Sequence, residues 1–581
     1  MLGLNSKPVP ERKSKPTKLR RAAPSSPRAR SLSALEQTCR VIAHLLAGPD
    51  RLGRPAAEPL IVGYRQGMRP ALRVGLILLL IAAFVGYGAA FAALAPARMM
   101  PFTLPIALAG GLIIWALPSG DYAPTRVLGH IFIGYCIALV MWPNYLAIAL
   151  PSLPWVTLLR VFGVPLIVLF LVCISSSGNF RLHLADIIRS DSAMWRLLAG
   201  LVVVQTGTIL LADDIGNTIN RYILVQMNLT AIFIVSCFVF VRRGFGELWV
   251  GLFLVMCAIL CVVGIWEWRL QRVPWAGHIP SFLRVQDETV LKILRGSARA
   301  ASGIYRVQGP ATTPLGFAEL LGLAVPFAVH MMVEQYRWLA RVAAAAFIPL
   351  AIFVILLTDS RLGVVAALAS VLFYILGWAL LRRRQFKNSL LVPAILLAYP
   401  SILIAGVAST FFVGRIRAEV WGNGAQTASN DARVEQWEMA IPIILRNPFG
   451  RGTGQGADAL GWANQAGTIS IDSYYLSVLL EWGVIGFLLF YGLMLRGVWV
   501  AGMIVVKHQV EREVRLVIPL AVALLNFVII KSVLSQDANH PLAFMMLGAV
   551  LALGYRAAKT SAESDIKPPT LAATAMAKAA R

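Results

Sequence analysis

Charge is scarce in this sequence: 14% of its 581 residues are charged, and only 28 are acidic against 53 basic. A soluble domain carries about 25% charged residues, so a water-facing surface over most of the chain is excluded. Cysteine is also scarce, at six. Cys136, Cys173, Cys237, Cys257 and Cys261 fall inside apolar runs and Cys39 in the basic N-terminal stretch, so no disulfide framework is implied. Cys257 and Cys261 share a helix face, and without a nearby His or carboxylate to complete a metal set they read as packing residues. No apolar segment follows the early basic residues at signal-peptide distance, so the first span is expected to act as the anchor. Alternating apolar and polar residues are missing too, which argues against a β-barrel.

What fills the chain is apolar: 58% hydrophobic residues and a mean hydropathy of +0.71. Apolar runs stand near 72–94, 101–118, 126–150, 155–175, 196–212, 221–241, 246–266, 314–333, 341–358, 361–381, 390–412, 473–506, 515–534 and 541–558. At about 20 residues per crossing, these predict an all-α polytopic integral membrane protein of about 14 transmembrane helices. The net charge of +25 is not a nucleic-acid footprint, because the basic residues sit in a tail and short loops. Residues 1–70 form a Lys-, Arg-, Pro- and Ser-rich stretch expected to be a disordered cytoplasmic tail. It reads as a topology signal attracted to anionic lipid or as a regulatory docking segment.

With that tail inside, the loops alternate as the positive-inside rule requires. Arg181, Arg189 and Arg196, then Arg242 and Arg243, Arg337 and Arg341, Arg382 to Lys387, and Lys507 to Arg515 fall inside. The expected division is then helices over 71–266, a large outer loop at 267–313, helices over 314–412 with an outer turn at 358–363, a second large outer loop at 413–472, helices over 473–558 and a tail at 559–581. In the second loop, Val434, Trp437, Ile441 and Ile444 share one helical face. That predicts an amphipathic helix that lies on the membrane surface or roofs a cavity.

Outer loops are expected to be poor in arginine, yet Arg269, Arg272, Arg284, Arg295, Arg299, Arg306, Arg361, Arg415, Arg417, Arg433, Arg446 and Arg451 all fall there. Such an excess calls for an anionic partner, either phospholipid head groups or a bound phosphate that the planar guanidinium fork matches. Arg361 is held in a tight turn, Thr358-Asp359-Ser360-Arg361-Leu362-Gly363, where it either meets an external anion or pairs with Asp359. The stretch Arg446 to Gly456 is glycine-rich but lacks the Lys-Ser/Thr ending of a nucleotide-binding loop. Asp472 precedes a span, as a base or as a helix cap. His278 and His540 are other outward candidates for a base. Glu319 and Glu481 lie within spans, where a carboxylate should face the protein interior or a watery cavity, and Glu481 can pair with an arginine of the site.

The ordered series Arg306 to Glu319, Thr358 to Gly363, Arg433 to Gly456 and Asp472 to Gly486 resembles the motifs of the O-antigen ligase and Wzy-type polymerase superfamily. The resemblance covers about the C-terminal half of the chain. It implies a metal-independent glycosyltransferase of the bacterial inner membrane with both termini cytoplasmic, using no cofactor and taking glycan from undecaprenyl diphosphate. Arg306 and Arg361 would grip the donor diphosphate with Arg433 assisting, Asp472 would activate the acceptor, and Glu319, Asp359, Tyr475 and Glu481 would support them. The ligase branch typically carries histidine at the position of Asp472, so the aspartate favours a polymerase acting on a lipid-linked repeat for exopolysaccharide, capsule or O-antigen. A ligase or protein O-oligosaccharyltransferase is the alternative, and a membrane transporter or flippase the alternative of another class. Implied partners are the lipid-linked oligosaccharide, membrane lipids, and flippase and co-polymerase proteins, with no nucleic acid.

Overall fold

The computed structural model describes residues 123–148, 156–285, 305–385, 390–414, 427–463, 469–508 and 511–566, with a few isolated positions besides. The expected tail at 1–70 and the apolar runs at 72–94 and 101–118 lie outside the described residues. The first helix, α1 (Thr125–Met141), is only 17 residues long and stops before Trp142-Pro143, because the residue ahead of a proline is driven out of helical backbone. The expected span at 126–150 is therefore shorter than its apolar run. Beyond it, β1 (Leu146–Ile148), β2 (Val156–Thr157) and later β3 (Leu283–Val285) form a small antiparallel sheet in the order β2-β1-β3, an addition to the all-α plan.

Next come α2 (Leu158–Ser176), α3 (Gly178–Arg189), α4 (Ser192–Gly207) and α5 (Ile215–Val239), the last widened into a π turn at Gln226–Ala231. Their starts follow from side-chain caps: Thr157, Ser177, Asp191 and Asp214 each accept a backbone N–H from the first turn. There follow α6 (Phe245–Leu270), α7 (Pro314–Val333), α8 (Trp338–Leu357), α9 (Arg361–Gln385), α10 (Leu391–Phe412), α11 (Thr427–Arg446), α12 (Gly456–Leu460), α13 (Tyr474–Lys507), α14 (Val517–Lys531) and α15 (His540–Ile566). Eleven helices among the described residues are long and apolar enough to cross a membrane.

At the centre stands α7, with 89% of its span buried, against 6% for α10 at the periphery. Lipid is as apolar as leucine, so packing and polar links rather than water exclusion select helix neighbours here. One such link is Asn526 on α14, whose Nδ2 donates to the Ala366 carbonyl at 3.1 Å and Ser370 Oγ at 2.7 Å on α9. Leu315, Leu362, Ile530 and Leu534 pack together and bring the ends of α7, α9 and α14 to one place.

The 34-residue α13 is broken at Gly483, whose φ of 69° and ψ of −173° leave helical space. The glycine-rich loop seals the break. Arg451 and Gly452 donate their N–H groups to the carbonyls of Leu480 and Glu481, both at 2.9 Å, and Val484 donates to the Pro448 carbonyl at 2.9 Å. A side chain cannot enter this joint: a Cβ on Gly450 would stand 2.4 Å from the Glu481 oxygen, and one on Gly483 would stand 2.2 Å from that of Pro448. Irregular backbone at membrane depth is tolerated where protein satisfies it, as here. The loop's glycines thus serve a backbone joint.

Candidate functional site

Arg306 is positioned by the residues around it. Glu267, at the end of α6 and fully buried, accepts from the Tyr305 hydroxyl at 2.8 Å, Gln308 N–H at 3.0 Å and Gly309 N–H at 2.8 Å. Burial and the adjacent carboxylate push the Tyr305 hydroxyl's pKa up, so it stays protonated and donates. With that loop clamped, Arg306 donates Nε to the Thr358 carbonyl at 2.8 Å and Nη2 to the Asp359 carbonyl at 3.2 Å. The Asp359 carboxylate stands 3.8 Å from Arg306 Nε, and Asp359 itself has a left-handed φ of 53°.

The expected turn at 358–363 is therefore present, and Arg306 is laid across it. Ser360 caps the following helix by accepting from Gly363 N–H at 3.3 Å, and Arg361 is the first residue of α9. A cation there adds to the positive end of a 25-residue helix dipole. The Asp359 carboxylate, 3.8 Å from Arg306, offsets part of that positive charge.

A second pair is held by α11. Gln436, fully buried on that helix, accepts from the Asp472 N–H at 2.9 Å, and Arg433 lies one turn before Gln436, near enough to act on the Asp472 charge. Arg433 Nη1 also donates to Asn430 Oδ1 at 3.3 Å. Burial holds the Asp472 carboxyl above the usual carboxylate range, with Arg433 pulling it down. The capping role considered for Asp472 belongs to its neighbour: Ser473 accepts from Tyr475 N–H at 3.2 Å and starts α13.

The roof helix buries a stripe beside its apolar face. Gln436 and Ala440 are buried, with Ala440 packed among Leu460, Ile471, Leu476 and Leu480, whereas Val434 and Ile441 are 56% and 49% exposed. The protein-facing stripe carries a glutamine that bonds backbone and an alanine that permits close approach, alongside the apolar face. Trp437 and Ile444 pack against this cluster as expected.

Glu319 faces the interior. It pairs with Lys531 Nζ at 2.9 Å, both side chains fully buried, and accepts from Asn539 Nδ2 at 2.9 Å. Glu481 takes backbone bonds from Gly454 and Gly456, with Arg221 in electrostatic reach. Tyr475 donates to the Val528 carbonyl at 3.0 Å and packs on Tyr491. His540 is 2% exposed and tilted against Tyr474 at 4.3 Å between centroids, with Phe490 and Phe527 around it, so it is enclosed rather than open to an acceptor. His278 sits on the far loop, donating its N–H to the Trp275 carbonyl. Glu319, Tyr475 and His540 gather at one end of the bundle, where α14 touches α7, α9, α13 and α15 and Tyr474 meets His540.

Sequence reasoning passed over Glu267, Gln436, Lys531 and Asn539. Lys531 had a signal: a lone cation in one apolar run and a lone carboxylate in another are expected to find each other. Gln436 had none, since an amide on a polar-looking helix carries no mark of burial.

The fold and site define a polytopic membrane protein with arginine-rich and carboxylate groups at one end of its helices. Residues 344–491, from within α8 to within α13, match the family model described as O-antigen ligase (Wzy_C). This segment, which holds Arg361, Arg433, Asp472, Tyr475 and Glu481, is similar to that family and supports the resemblance to the O-antigen ligase and Wzy-type superfamily. No curated protein matches the chain.

Proposed function

We propose that this protein is an inner-membrane polysaccharide polymerase. On this reading it transfers an undecaprenyl-diphosphate-linked glycan to the free sugar end of a second lipid-linked repeat on the periplasmic face. The observation that carries it is Arg306 laid across the turn that presents Arg361 at the start of α9, inside or beside a segment of the O-antigen ligase family. Both arginines would hold the diphosphate, stabilising charge as it leaves. Asp472 would take the proton of the acceptor hydroxyl while that oxygen bonds to the donor's anomeric carbon. The bond from that carbon to phosphate oxygen breaks, and its electron pair departs on the diphosphate. A carboxyl raised by burial is the stronger base, and Arg433 keeps it ionised. The aspartate, where the ligase branch typically has histidine, favours polymerase over ligase.

The test is transfer in reconstituted membranes supplied with undecaprenyl-diphosphate-linked repeats from the native host, with products resolved by gel. Wild type is expected to give a ladder of longer lipid-linked chains. Arg361→Ala should lower the rate by roughly 10²- to 10³-fold, the loss typical of a donor aimed at developing charge. Asp472→Asn should abolish the acceptor-dependent step. A wild type that makes no ladder, yet passes the glycan to a lipid A core or protein acceptor, would overturn the polymerase reading in favour of a ligase.

A further inference from the structure

Gln308 lies two residues after Arg306 and is fully buried, yet neither Oε1 nor Nε2 of its side-chain amide meets a hydrogen-bond partner. Other buried amides are better matched. Asn526 donates to Ala366 and Ser370, Asn539 to Gly316 and Glu319, Gln455 to Thr218, and Gln436 accepts from Asp472. Looseness does not explain the difference, because the Gln308 backbone is bonded on both sides. Its N–H donates to Glu267 at 3.0 Å, and its carbonyl accepts from Ala311 N–H at 3.1 Å. A buried polar group without a partner forfeits the hydrogen bonds it had in water, so its retention calls for a cause.

The chain around it shows which way the amide faces. From Tyr305 to Gln308 the backbone is neither helix nor turn, with Val307 N–H bonded to the Leu357 carbonyl at 3.1 Å and Gln308 N–H to Glu267. In extended backbone, successive side chains point to opposite sides. Tyr305 turns to Glu267 on α6, and Val307 turns to the same helix, where a Cβ on Gly264 would stand 3.3 Å from it. Arg306 turns the other way, onto the carbonyls of Thr358 and Asp359. Gln308 therefore leaves the chain on the side of Arg306, about 7 Å further along. Arg306 keeps 18% of its side chain exposed, so a ligand that touches it lies next to an amide whose donor and acceptor are both unspent.

Where Arg306 holds a donor diphosphate, the neighbouring atoms belong to the first sugar. Its anomeric carbon is bonded to a phosphate oxygen, and C2 with its substituent comes next. A primary amide offers an acceptor and a donor side by side, which suits a hydroxyl or acetamido group. We propose that Gln308 reads the C2 substituent of the sugar joined to the diphosphate, and so sets which donor the protein accepts. This rests on the reading in which Arg306 grips that diphosphate. The amide is closed off here, so the donor uncovers it on entering. A site built to bond a polar substituent rejects the analogue that lacks it, because its own buried groups are then left unpaired.

The test measures dissociation constants of the full chain in phosphatidylcholine nanodiscs for two ligands. One is the undecaprenyl-diphosphate-linked repeat of the native host, and the other is the same repeat without the C2 substituent on the sugar next to the diphosphate. Wild type should bind the native repeat at least about tenfold more tightly. Gln308→Met keeps the length and drops both polar atoms. It should bind the two ligands alike, and it should melt no lower than wild type, since the free protein loses no bond. Equal binding of both ligands by wild type would overturn the proposal. So would a preference that survives in Gln308→Met with a lower melting temperature, the mark of a structural amide satisfied by internal water. Failure of the diphosphate reading looks different: Arg306→Ala would then bind sugar-free undecaprenyl diphosphate as tightly as wild type does. Failure of the polymerase reading shows as a missing ladder, whatever the binding ratio.

Discussion

The two ends of the helix bundle use arginine in opposite ways. At the end away from the site, Arg512 holds Glu247 with two bonds of 2.7 Å, Arg515 holds Glu334 at 2.9 Å, Arg556 holds Glu513 at 2.9 Å, and Arg496 holds Asp191 at 2.8 Å. These are short, carboxylate-matched pairs that tie α6, the end of α7, α15 and the loop before α14 together, and α13 to the start of α4. At the site end, Arg306 gives its N–H groups to neutral carbonyls, and the Asp359 carboxylate stands 3.8 Å off. A carbonyl orients a guanidinium without cancelling its charge. The same residue type is therefore matched closely to carboxylates at one end and laid along backbone carbonyls, with a carboxylate further off, at the other.

The strongest way to break this comparison is at a site-end cation, Lys531, that is matched like the far ones. Lys531→Met strips the partner from fully buried Glu319 and should cost about 3–5 kcal/mol of stability, read from denaturation in detergent or nanodiscs. Adding Glu319→Leu should recover most of it, and no recovery would mean that the pair matters for more than charge balance. Next in size, Arg512→Ala should destabilise by about 1.5–3 kcal/mol, through loss of charged hydrogen bonds, while leaving the rate per folded molecule near wild type. Arg306→Ala should do the reverse, lowering transfer with little shift in melting temperature. If both variants lost stability and rate alike, the division between the two ends would fall.

The smallest expected effect sharpens the role of Arg433. With Asp472 acting as a base, activity needs its ionised form and falls as pH drops through its raised pKa. Arg433 opposes that rise, so Arg433→Gln should move the acid limb of the pH–rate profile to higher pH. An unmoved limb, or one moved to lower pH, would remove Asp472 or its coupling to Arg433 from the mechanism.

Much of this plan was legible because membrane insertion writes itself into long apolar runs. Spans from 155–175 onward became helices, and the turn at Thr358 to Gly363 and the roof helix stand where the pattern put them. The misreadings share a cause. Helix α1 stops early at a local backbone rule, and the cap falls to Ser473 rather than Asp472. Each turns on a single short-range bond or a close approach, which hydropathy averaged over a window cannot register. Glu267 was missed likewise, since its worth lies in three donors from a loop about 40 residues onward.

The break in α13 also bears on how the chain is assembled. A helix entering lipid normally brings all its backbone partners with it. This one does not, because the carbonyls of Leu480 and Glu481 accept from Arg451 and Gly452. Those donors precede the helix in the chain, so they are synthesised before the gap they must fill. The loop is thus as much a part of α13's insertion as the helix itself.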